Sequence, residues 1–224
     1  MPKRIVFIDG IRVITEEIDK VFSEIIRDAE FFHIVDEGTL HFDSEDKRLK
    51  RRFCNLALSA EEIGADVIVV TCGHGVPSMP ILQAIVETPV VNVTLPMIEA
   101  AVNAGQTIGL VSTEETIVKP IVELLEKAGE RANKKITIKV GLCEEAFRAR
   151  LSGDLAKFDE LVIKMTEEVS KTVDVVVLAQ VSSCRVLPKV KDRIDKPILS
   201  PLITAAEEVR TILDLKRTRH RMAI

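Results

Sequence analysis

The sequence contains no tryptophan and no tyrosine among its 224 residues. Flat aromatic side chains are the usual stacking platforms for sugars and single-stranded nucleic acid, so we do not expect a protein of either binding class. No apolar run reaches the roughly 18 residues that a membrane-spanning helix requires, and the amino-terminal segment lacks the apolar region of a signal peptide. We therefore expect no contact with nucleic acid or membrane.

Closely spaced cysteines are also missing. The four cysteines are far apart in the sequence, with no Cys-x-x-Cys pair, and they are Cys54, Cys72, Cys143 and Cys184. This spacing argues against a zinc site and against a disulfide framework. It fits a reducing cytoplasm, which is the location we expect. We expect no metal ion.

Charge of one sign does not dominate the chain. The formal net charge is −4 and is spread along the sequence, which gives no electrostatic indication of nucleic-acid binding. One basic cluster closes the sequence and consists of Lys216, Arg217, Arg219, His220 and Arg221. We interpret this cluster as a solvated tail, with a phosphate-binding arm as the alternative.

Short apolar, β-branched segments alternate with longer helical patterns along the chain. Runs such as 67–71 and 175–178 have almost no polar residue, so both faces of these strands should be covered, as in a parallel sheet. Ser44 is expected to cap the helix that follows it. The predicted strands are 4–9, 30–35, 67–71, 89–92, 107–111, 136–140, 174–179 and 196–199. The predicted helices are 14–28, 44–64, 77–87, 95–104, 114–128, 154–171 and 201–215.

The chain repeats itself. Residues 65–80 (ADVIVVTCGHGVPSMP) align without gaps on residues 173–188 (VDVVVLAQVSSCRVLP), and two prolines further on keep the same offset. A weaker match relates 4–10 (RIVFIDG) to 107–113 (TIGLVST). Each copy predicts a strand, a loop at its carboxyl end, a short helix and a second strand.

Two copies of one α/β unit predict a doubly wound α/β fold with two pseudosymmetric flavodoxin-like lobes. Each lobe should hold a parallel sheet of about four strands, with the active-site cleft between the lobes. We expect 1–95 plus 205–224 to form the first lobe and 96–204 the second. Ligands bind beyond the carboxyl ends of parallel strands, which here are followed by the loops 9–12, 72–76, 112–116 and 180–184.

Cys72 is the residue best placed for chemistry, because it follows a buried strand and precedes Gly73-His74-Gly75. Free amides in this segment, with a helix starting near Pro77, are expected to lower the thiol pKa and could hold an anion. His74 is close enough in sequence to polarise the thiol or a ligand. A buried packing cysteine and a solvated histidine are the alternatives.

Hydroxyl groups follow the fifth and seventh strands. Thr113 and Thr116 are expected to cap a helix, and hydroxyls and amides at such an end can also bind a carboxylate. Ser182 and Ser183 allow the same two interpretations. Asp9, after the first strand, could hold a substrate ammonium group or fix a turn at Gly10.

The other cysteines are weaker candidates. Cys184 lies where a helix should begin and could be an activated thiol, but the repeat aligns it with Val76 and not with Cys72. Cys54 lies within a helical pattern and Cys143 begins one, so we expect both to be packing residues.

These motifs resemble the aspartate/glutamate/hydantoin racemase superfamily over almost the whole chain. The resemblance rests on Val-Thr-Cys72, on Gly109-Leu-Val-Ser-Thr-Glu-Glu-Thr116, on Asp174-Val-Val-Val-Leu-Ala-Gln180 and on Ser200-Pro201. It implies a cofactor-independent enzyme with two lobes, in which one cysteine of each lobe exchanges a proton with the substrate α-carbon. Backbone amides and threonine hydroxyls would hold the carboxylate, and family members often form dimers.

Carried over residue by residue, the resemblance makes Cys72 the first catalytic cysteine, and Thr113 and Thr116 the carboxylate-binding Thr-x-x-Thr. His74 or Cys184 could supply the second proton. Gln180 stands where the second cysteine is expected, and an amide cannot exchange protons at neutral pH. The segment resembles a branch of the superfamily that carries this glutamine. The predicted substrate-binding residues are Asp9, Gly73, Ser112, Thr113, Thr116, Gln180, Val181 and Ser182.

Three functions follow from this pattern. The first is a cofactor-independent racemase or isomerase that acts on a small carboxylate, an amino acid or a hydantoin-type compound, as a possible homodimer. The second is a single-cysteine decarboxylase of an activated malonate-type acid, which the missing second cysteine favours. The third is a carboxylate-binding protein without catalysis.

Overall fold

The computed structural model describes residues 2–222, with side chains as far as Lys216. Within this range eight strands alternate with helices along the chain. The strands are β1 (Lys3–Asp9), β2 (Ala29–Val35), β3 (Val67–Val70), β4 (Val90–Asn92), β5 (Thr107–Ser112), β6 (Thr137–Leu142), β7 (Val175–Leu178) and β8 (Ile198–Leu199). All eight predicted strands are present, with ends that differ by at most a few residues.

Helices connect these strands. They are α1 (Thr15–Ile25), α2 (Lys47–Glu62), α3 (Met79–Ile85), α4 (Thr94–Ala104), α5 (Val118–Arg131), α6 (Glu144–Leu151), α7 (Leu155–Ser170), α8 (Leu187–Val190) and α9 (Pro201–Met222). Short 3-10 helices form at Arg12–Ile14, Glu37–His41, Gly73–Ser78, Glu115–Ile117 and Val181–Val186. No helix among the residues described is both long enough and apolar enough to cross a membrane.

The strands form two four-stranded sheets in which every pairing is parallel. The strand orders are β2-β1-β3-β4 and β6-β5-β7-β8, so the central strands of each sheet are its first and third in chain order. Every residue of β3 and of β7 is buried, as expected for strands covered on both faces. The predicted fold class, two lobes with a parallel sheet of about four strands each, is confirmed.

The chain divides into two compact units. The first comprises residues up to Pro96 together with those from Leu202 onward, and the second is Met97–Pro201. The first boundary therefore falls inside α4, and the second lies at the start of α9.

Each unit has its own apolar core. In the first, Leu49 and Phe53 of α2 are fully buried against the central strands. In the second, Phe158 and Val162 of α7 cover one face of the sheet in the same way. Burying a side chain of this size contributes about 1.5–3 kcal/mol, so these helices anchor the strand ends that carry the polar residues described below.

The sequence repeat is also a repeat of hydrogen bonds. Asp66 precedes β3, and its carboxylate accepts a hydrogen bond from the backbone amide of Arg4 at 2.9 Å. Asp174 precedes β7 and accepts from the amide of Thr107 at 2.8 Å. Each aspartate therefore ties the start of the third strand of its unit to the start of the first.

The two prolines of the repeat also have the same role. The carbonyl of Pro89 accepts from the amide of Ile68 at 2.9 Å, and the carbonyl of Pro197 accepts from that of Val176, also at 2.9 Å. Each proline thus sets the register between the third and fourth strands of its sheet, and it needs no amide of its own to do so.

The prediction that Ser44 caps α2 is wrong. The cap is Asp46, whose carboxylate accepts from the backbone amide of Arg48 at 2.7 Å. An aspartate meets this need as well as a serine does, and the helix begins three residues later than its charged pattern suggests.

The basic cluster at the carboxyl end falls mostly outside the described side chains. Lys216 is described, and its Nζ donates to the carbonyl of Asp66 at 2.9 Å. The side chains of Arg217, Arg219, His220 and Arg221 lie beyond the described residues, so both interpretations of the cluster stay predictions.

Candidate active site

Cys72 follows the end of β3 by two residues and immediately precedes the 3-10 helix Gly73–Ser78. Its backbone is extended, with φ −110° and ψ 129°, and the residue is half-buried. Its carbonyl accepts two hydrogen bonds, from the amide of Gly75 at 3.0 Å and from Nδ2 of Asn92 at 3.0 Å. These two contacts fix the thiol at the carboxyl end of the central strand.

Gly75 allows the 3-10 helix to lie directly on the core. A Cβ atom at this position would lie 2.6 Å from Cγ1 of Val70 and 3.3 Å from Cζ of Phe53. Because atoms do not approach so closely, any other residue would push the helix away from β3 and α2. The same comparison at Gly73 finds its nearest neighbour, Oγ1 of Thr94, at 3.8 Å, which is an ordinary contact.

His74 lies beside the thiol. Its ring atom Nδ1 is 3.5 Å from Sγ of Cys72, and the imidazole is exposed. This distance suits a hydrogen bond that involves sulfur, so the imidazole can accept the thiol proton or stabilise a thiolate. Gly73, which joins the two residues, is exposed and presents its backbone at the same edge.

The pKa of Cys72 is shifted in the direction opposite to the one predicted. Packing around the sulfur raises the pKa most, and the carboxylate of Asp9 raises it further. The amides of His74 and Gly75 lower the pKa as expected, but they do not offset the loss of solvent. The predicted decrease in pKa took account of these amides but not of the burial of the sulfur or of the charge of Asp9.

Asp9 lies at the end of β1 and is completely buried. Its Oδ1 accepts a hydrogen bond from the hydroxyl of Thr71 at 2.6 Å, and its Oδ2 lies 2.6 Å from Nδ1 of His33. Both oxygens of this carboxylate thus have protein partners within the first unit. The neighbouring Gly10 leaves space beside the thiol, since a Cβ there would lie 3.5 Å from Sγ of Cys72.

Two polar residues of this region, His33 and Asn92, were not predicted. His33 lies on β2 and contacts two carboxylates, those of Asp9 and Asp19. Asn92 ends β4 and accepts from the amide of Thr94 at 2.9 Å, in addition to its bond to Cys72. In the sequence, each of these residues is a single polar residue within or at the end of an apolar strand, and this pattern could have identified them.

In the second unit Gln180 takes the place that Cys72 has in the first. It follows the strand β7 by two residues and precedes the 3-10 helix Val181–Val186, with φ −108° and ψ 148°. Its carbonyl accepts from the amide of Ser183 at 3.0 Å, as that of Cys72 does from Gly75. The two repeat positions therefore have nearly the same backbone.

The Gln180 side chain bonds to Thr113 at both ends. Oε1 accepts from the backbone amide of Thr113 at 3.2 Å, and Nε2 donates to its hydroxyl oxygen at 2.9 Å. Ser112 is bonded within its own turn, where its hydroxyl donates to the carbonyl of Glu114 at 2.8 Å. Ser112, Thr113 and Gln180 are thus brought together at the carboxyl ends of β5 and β7.

The helix-capping role predicted for Thr113 and Thr116 is wrong. The 3-10 helix begins after Glu114 and α5 begins after Ile117, and neither flanking residue makes a capping bond from its side chain. The Thr113 hydroxyl is bonded to Gln180 instead, and Thr116 is exposed one turn further along. The chain enters this helix through a 3-10 turn, which leaves no place for a threonine cap.

The segment that carries Gln180 is anchored by charge. Nε of Arg185, in the same 3-10 helix, donates to Asp159 of α7 at 2.7 Å. Nζ of Lys189, in the following helix α8, donates to the same carboxylate at 2.6 Å. The side chain of Asp159 is only 7% exposed. Burial opposes its ionisation, but the bonds to Arg185 and Lys189 prevail and hold the pKa of Asp159 below its usual value. Val181 and Ser182, half-buried, lie between Gln180 and this anchor.

The remaining cysteines are structural. Cys54 packs against the core of the first unit and Cys143 against that of the second, which confirms them as packing residues. Cys184 is buried within its 3-10 helix. None of the four cysteines forms a disulfide. Among residues 2–222, no group of three or more histidine, cysteine, aspartate or glutamate side chains is arranged to hold a metal ion.

Comparison with known structures gives matches that cover nearly the whole chain. A glutamate racemase isoform from Bacillus anthracis matches with a TM-score of 0.72 at 20% identity, covering 96% of this chain and 82% of that one. An allantoin racemase from Klebsiella pneumoniae matches with a TM-score of 0.75 at 15% identity, covering 96% and 89%. An aspartate racemase homologue from Pyrococcus horikoshii matches with a TM-score of 0.66 at 16% identity, covering 96% and 99%.

At these identities the structural matches establish the fold. No curated protein matches the sequence. The family model of the Asp/Glu/Hydantoin racemases matches residues 15–209, which include Cys72, Thr113 and Gln180. The chain therefore belongs to the Asp/Glu/Hydantoin racemase family and is an enzyme of the isomerase class.

Proposed function

We propose that the protein is a cofactor-independent racemase or isomerase of a small carboxylate, with the Cys72 thiolate as its base. The observation that carries the proposal is the position of Cys72, a half-buried residue at the carboxyl end of β3 whose Sγ lies 3.5 Å from Nδ1 of His74. Membership of a racemase family supports proton transfer at the substrate α-carbon as the reaction of this thiol.

The raised pKa of Cys72 suits proton abstraction from carbon. A carbon acid next to a carboxylate or amide holds its proton tightly, so the base must be strong. A higher thiol pKa makes each thiolate a stronger base but leaves fewer thiolates at neutral pH. His74 is placed to take the thiol proton and so to raise the fraction of thiolate while substrate is bound.

Thr113 supplies a donor for the substrate carboxylate. The backbone amide of Thr113 can only donate, so the atom of Gln180 that faces it must be the oxygen, which also fixes the position of the NH₂ group. That group donates to the hydroxyl oxygen of Thr113, so the hydroxyl proton is free to point to a third acceptor. A carboxylate is an acceptor of the required kind.

The substrate class follows from the family and its relatives. Solved structures with this fold include a glutamate racemase, an aspartate racemase homologue and an allantoin racemase. We therefore propose an amino acid or a hydantoin-type compound as substrate. The four cysteines without disulfides fit the cytoplasmic location that we propose, and a homodimer stays a prediction.

Proton exchange in D₂O tests the proposal. Single enantiomers of glutamate, aspartate, allantoin and 5-substituted hydantoins are incubated with the full chain, followed by NMR and polarimetry. We expect exchange of the α-proton with inversion for at least one compound, and loss of both on Cys72→Ser. Cys54→Ser, a half-buried cysteine of the same unit, is the matched control and should keep the activity. Exchange that survives Cys72→Ser would contradict the proposed role of the thiol.

A second candidate is a decarboxylase of an activated malonate-type acid. The observation that favours it is Gln180, which stands at the repeat position of Cys72 and cannot serve as a second acid or base. Such an enzyme needs only one thiol, because it protonates an enediolate from one side. Release of CO₂ from an aryl-substituted malonate, without exchange of any single-enantiomer compound, would establish this function instead. Tight carboxylate binding without either reaction would leave the non-catalytic alternative.

A further inference from the structure

His33 is held between two carboxylates. Its Nδ1 lies 2.6 Å from Oδ2 of Asp9, and its Nε2 lies 2.9 Å from Oδ1 of Asp19. The ring stacks on Phe7 with centroids 4.9 Å apart and planes inclined by 17°. Thus β2 supplies the histidine, β1 supplies Asp9 and Phe7, and α1 supplies Asp19.

The protons that these two hydrogen bonds require determine the net charge of the triad formed by Asp9, His33 and Asp19. Ionised carboxylates only accept hydrogen bonds, so both bonds require a proton on each ring nitrogen, that is, an imidazolium. A neutral imidazole with a protonated carboxylic acid would satisfy the same geometry and would leave the same net charge of minus one. In either case His33 brings a proton that cancels one of the two carboxylate charges. Burial opposes its ionisation, but the two carboxylates prevail and raise the pKa of His33, which favours the imidazolium.

The triad ends beside the thiol. The buried Asp9 is bonded to Thr71, which immediately precedes Cys72, and it is followed by Gly10, where a Cβ would lie 3.5 Å from Sγ. The negative charge of Asp9 raises the pKa of Cys72. The charge that His33 places against Asp9 therefore bears directly on how easily the thiol ionises.

We propose that His33 is a positioning residue for the thiol, held as an imidazolium between Asp9 and Asp19 so that it fixes Asp9 and offsets the negative charge that Asp9 presents to Cys72. Its importance for catalysis rests on the function proposed above. The effect on the thiol does not, because thiol ionisation can be measured without any substrate. Asp9 and Asp19 are the charged groups that contact the ring among the residues described, and the thiol of Cys72 is the titratable group on the far side of Asp9.

Alkylation by iodoacetamide across a pH series tests the proposal. The background is Cys54→Ser, so that the tryptic peptide from Phe53 to Lys127 contains Cys72 as its single cysteine, because trypsin does not cleave between Lys119 and Pro120. Its modification is followed by mass spectrometry. In His33→Gln the amide keeps a donor toward Asp9 but carries no charge. We expect the midpoint of Cys72 alkylation to rise by about half to one pH unit, because Asp9 is then uncompensated.

Two further variants keep the test decisive. Asp19→Asn weakens the hold on the imidazolium from a side chain that is 49% exposed, so the fold should persist even where His33→Gln fails to fold. It should raise the midpoint by a smaller amount. Glu16→Gln removes the same charge from an exposed position of the same helix and should leave the midpoint unchanged. An unchanged midpoint in both His33→Gln and Asp19→Asn, or in the one of them that folds, would overturn the proposal, whether or not racemisation is ever found.

Discussion

The side-chain amide of Gln180 contacts Thr113 with both of its ends, accepting from the backbone amide at 3.2 Å and donating to the hydroxyl at 2.9 Å. A cysteine in this position could not make both bonds, because its side chain has a single polar atom. Gln180 therefore has a definite role of its own, which is to hold Thr113 and to direct its hydroxyl proton toward a third partner.

Gln180→Glu should weaken the binding of a carboxylate substrate. The glutamate would accept from both the amide and the hydroxyl of Thr113, so the free donor would be lost and a negative charge added. We expect KM to rise tenfold or more, with a smaller change in kcat, because one charge-assisted hydrogen bond contributes about 1.5–3 kcal/mol. Titration calorimetry with the substrate found in the NMR panel measures the same loss directly. An unchanged affinity would show that Thr113 does not bind the carboxylate.

The pH dependence of activity should follow the thiol. Since the pKa of Cys72 is raised, kcat/KM should increase with pH to a midpoint above the value of about 8.5 for an unperturbed thiol. Initial rates between pH 6 and 10 in a constant-ionic-strength buffer measure this profile. A plateau already reached at pH 7 would contradict the raised pKa.

Gly75→Ala should destabilise the first unit. The added Cβ would lie 2.6 Å from Cγ1 of Val70, and overpacking of this kind costs about 1–3 kcal/mol. Gly73→Ala is the matched control, two residues away, because its Cβ meets only an ordinary contact. Urea unfolding followed by circular dichroism measures both variants. Equal free energies of unfolding for the two would mean that the 3-10 helix can move away from β3 without cost.

Asp159→Asn should destabilise the second unit in a pH-dependent way. The carboxylate bonds to Arg185 and Lys189, and losing these bonds should lower the free energy of unfolding by about 1–3 kcal/mol at pH 7. The folded-state pKa of Asp159 is lowered, so its contribution is present above its ordinary value of 3.8 and is lost as the pH falls through the folded-state value. The difference between wild type and variant should therefore vanish in strong acid. Glu145→Gln, which removes an exposed partner of Lys157, should have no measurable effect.

The stability that His33 contributes should depend on pH in the opposite direction to that of Asp159. Its folded-state pKa is raised above 6.5, so the stability that it contributes is present below 6.5 and is lost as the pH rises through the folded-state value. His33→Gln should flatten this loss in urea unfolding measured between pH 6 and 9.

The sequence allowed the strands, the repeat and the position of the thiol to be predicted, because each depends on neighbours along the chain. Apolar runs specify β3 and β7, and one offset relates Cys72 to Gln180. The contacts of His33 and the bond from Asn92 to Cys72 could not be predicted, since they join residues brought together by sheet order. The direction of the thiol pKa shift was missed for the same reason.

The nearly equal backbone geometry at Cys72 and Gln180 means that the same kind of turn carries two different polar side chains, a thiol in one unit and an amide in the other. The hydrogen bonds of Asp66 and Asp174 and of the two prolines hold the framework without involving either side chain. Gln180→Cys would therefore place a second thiol on an unstrained, existing turn.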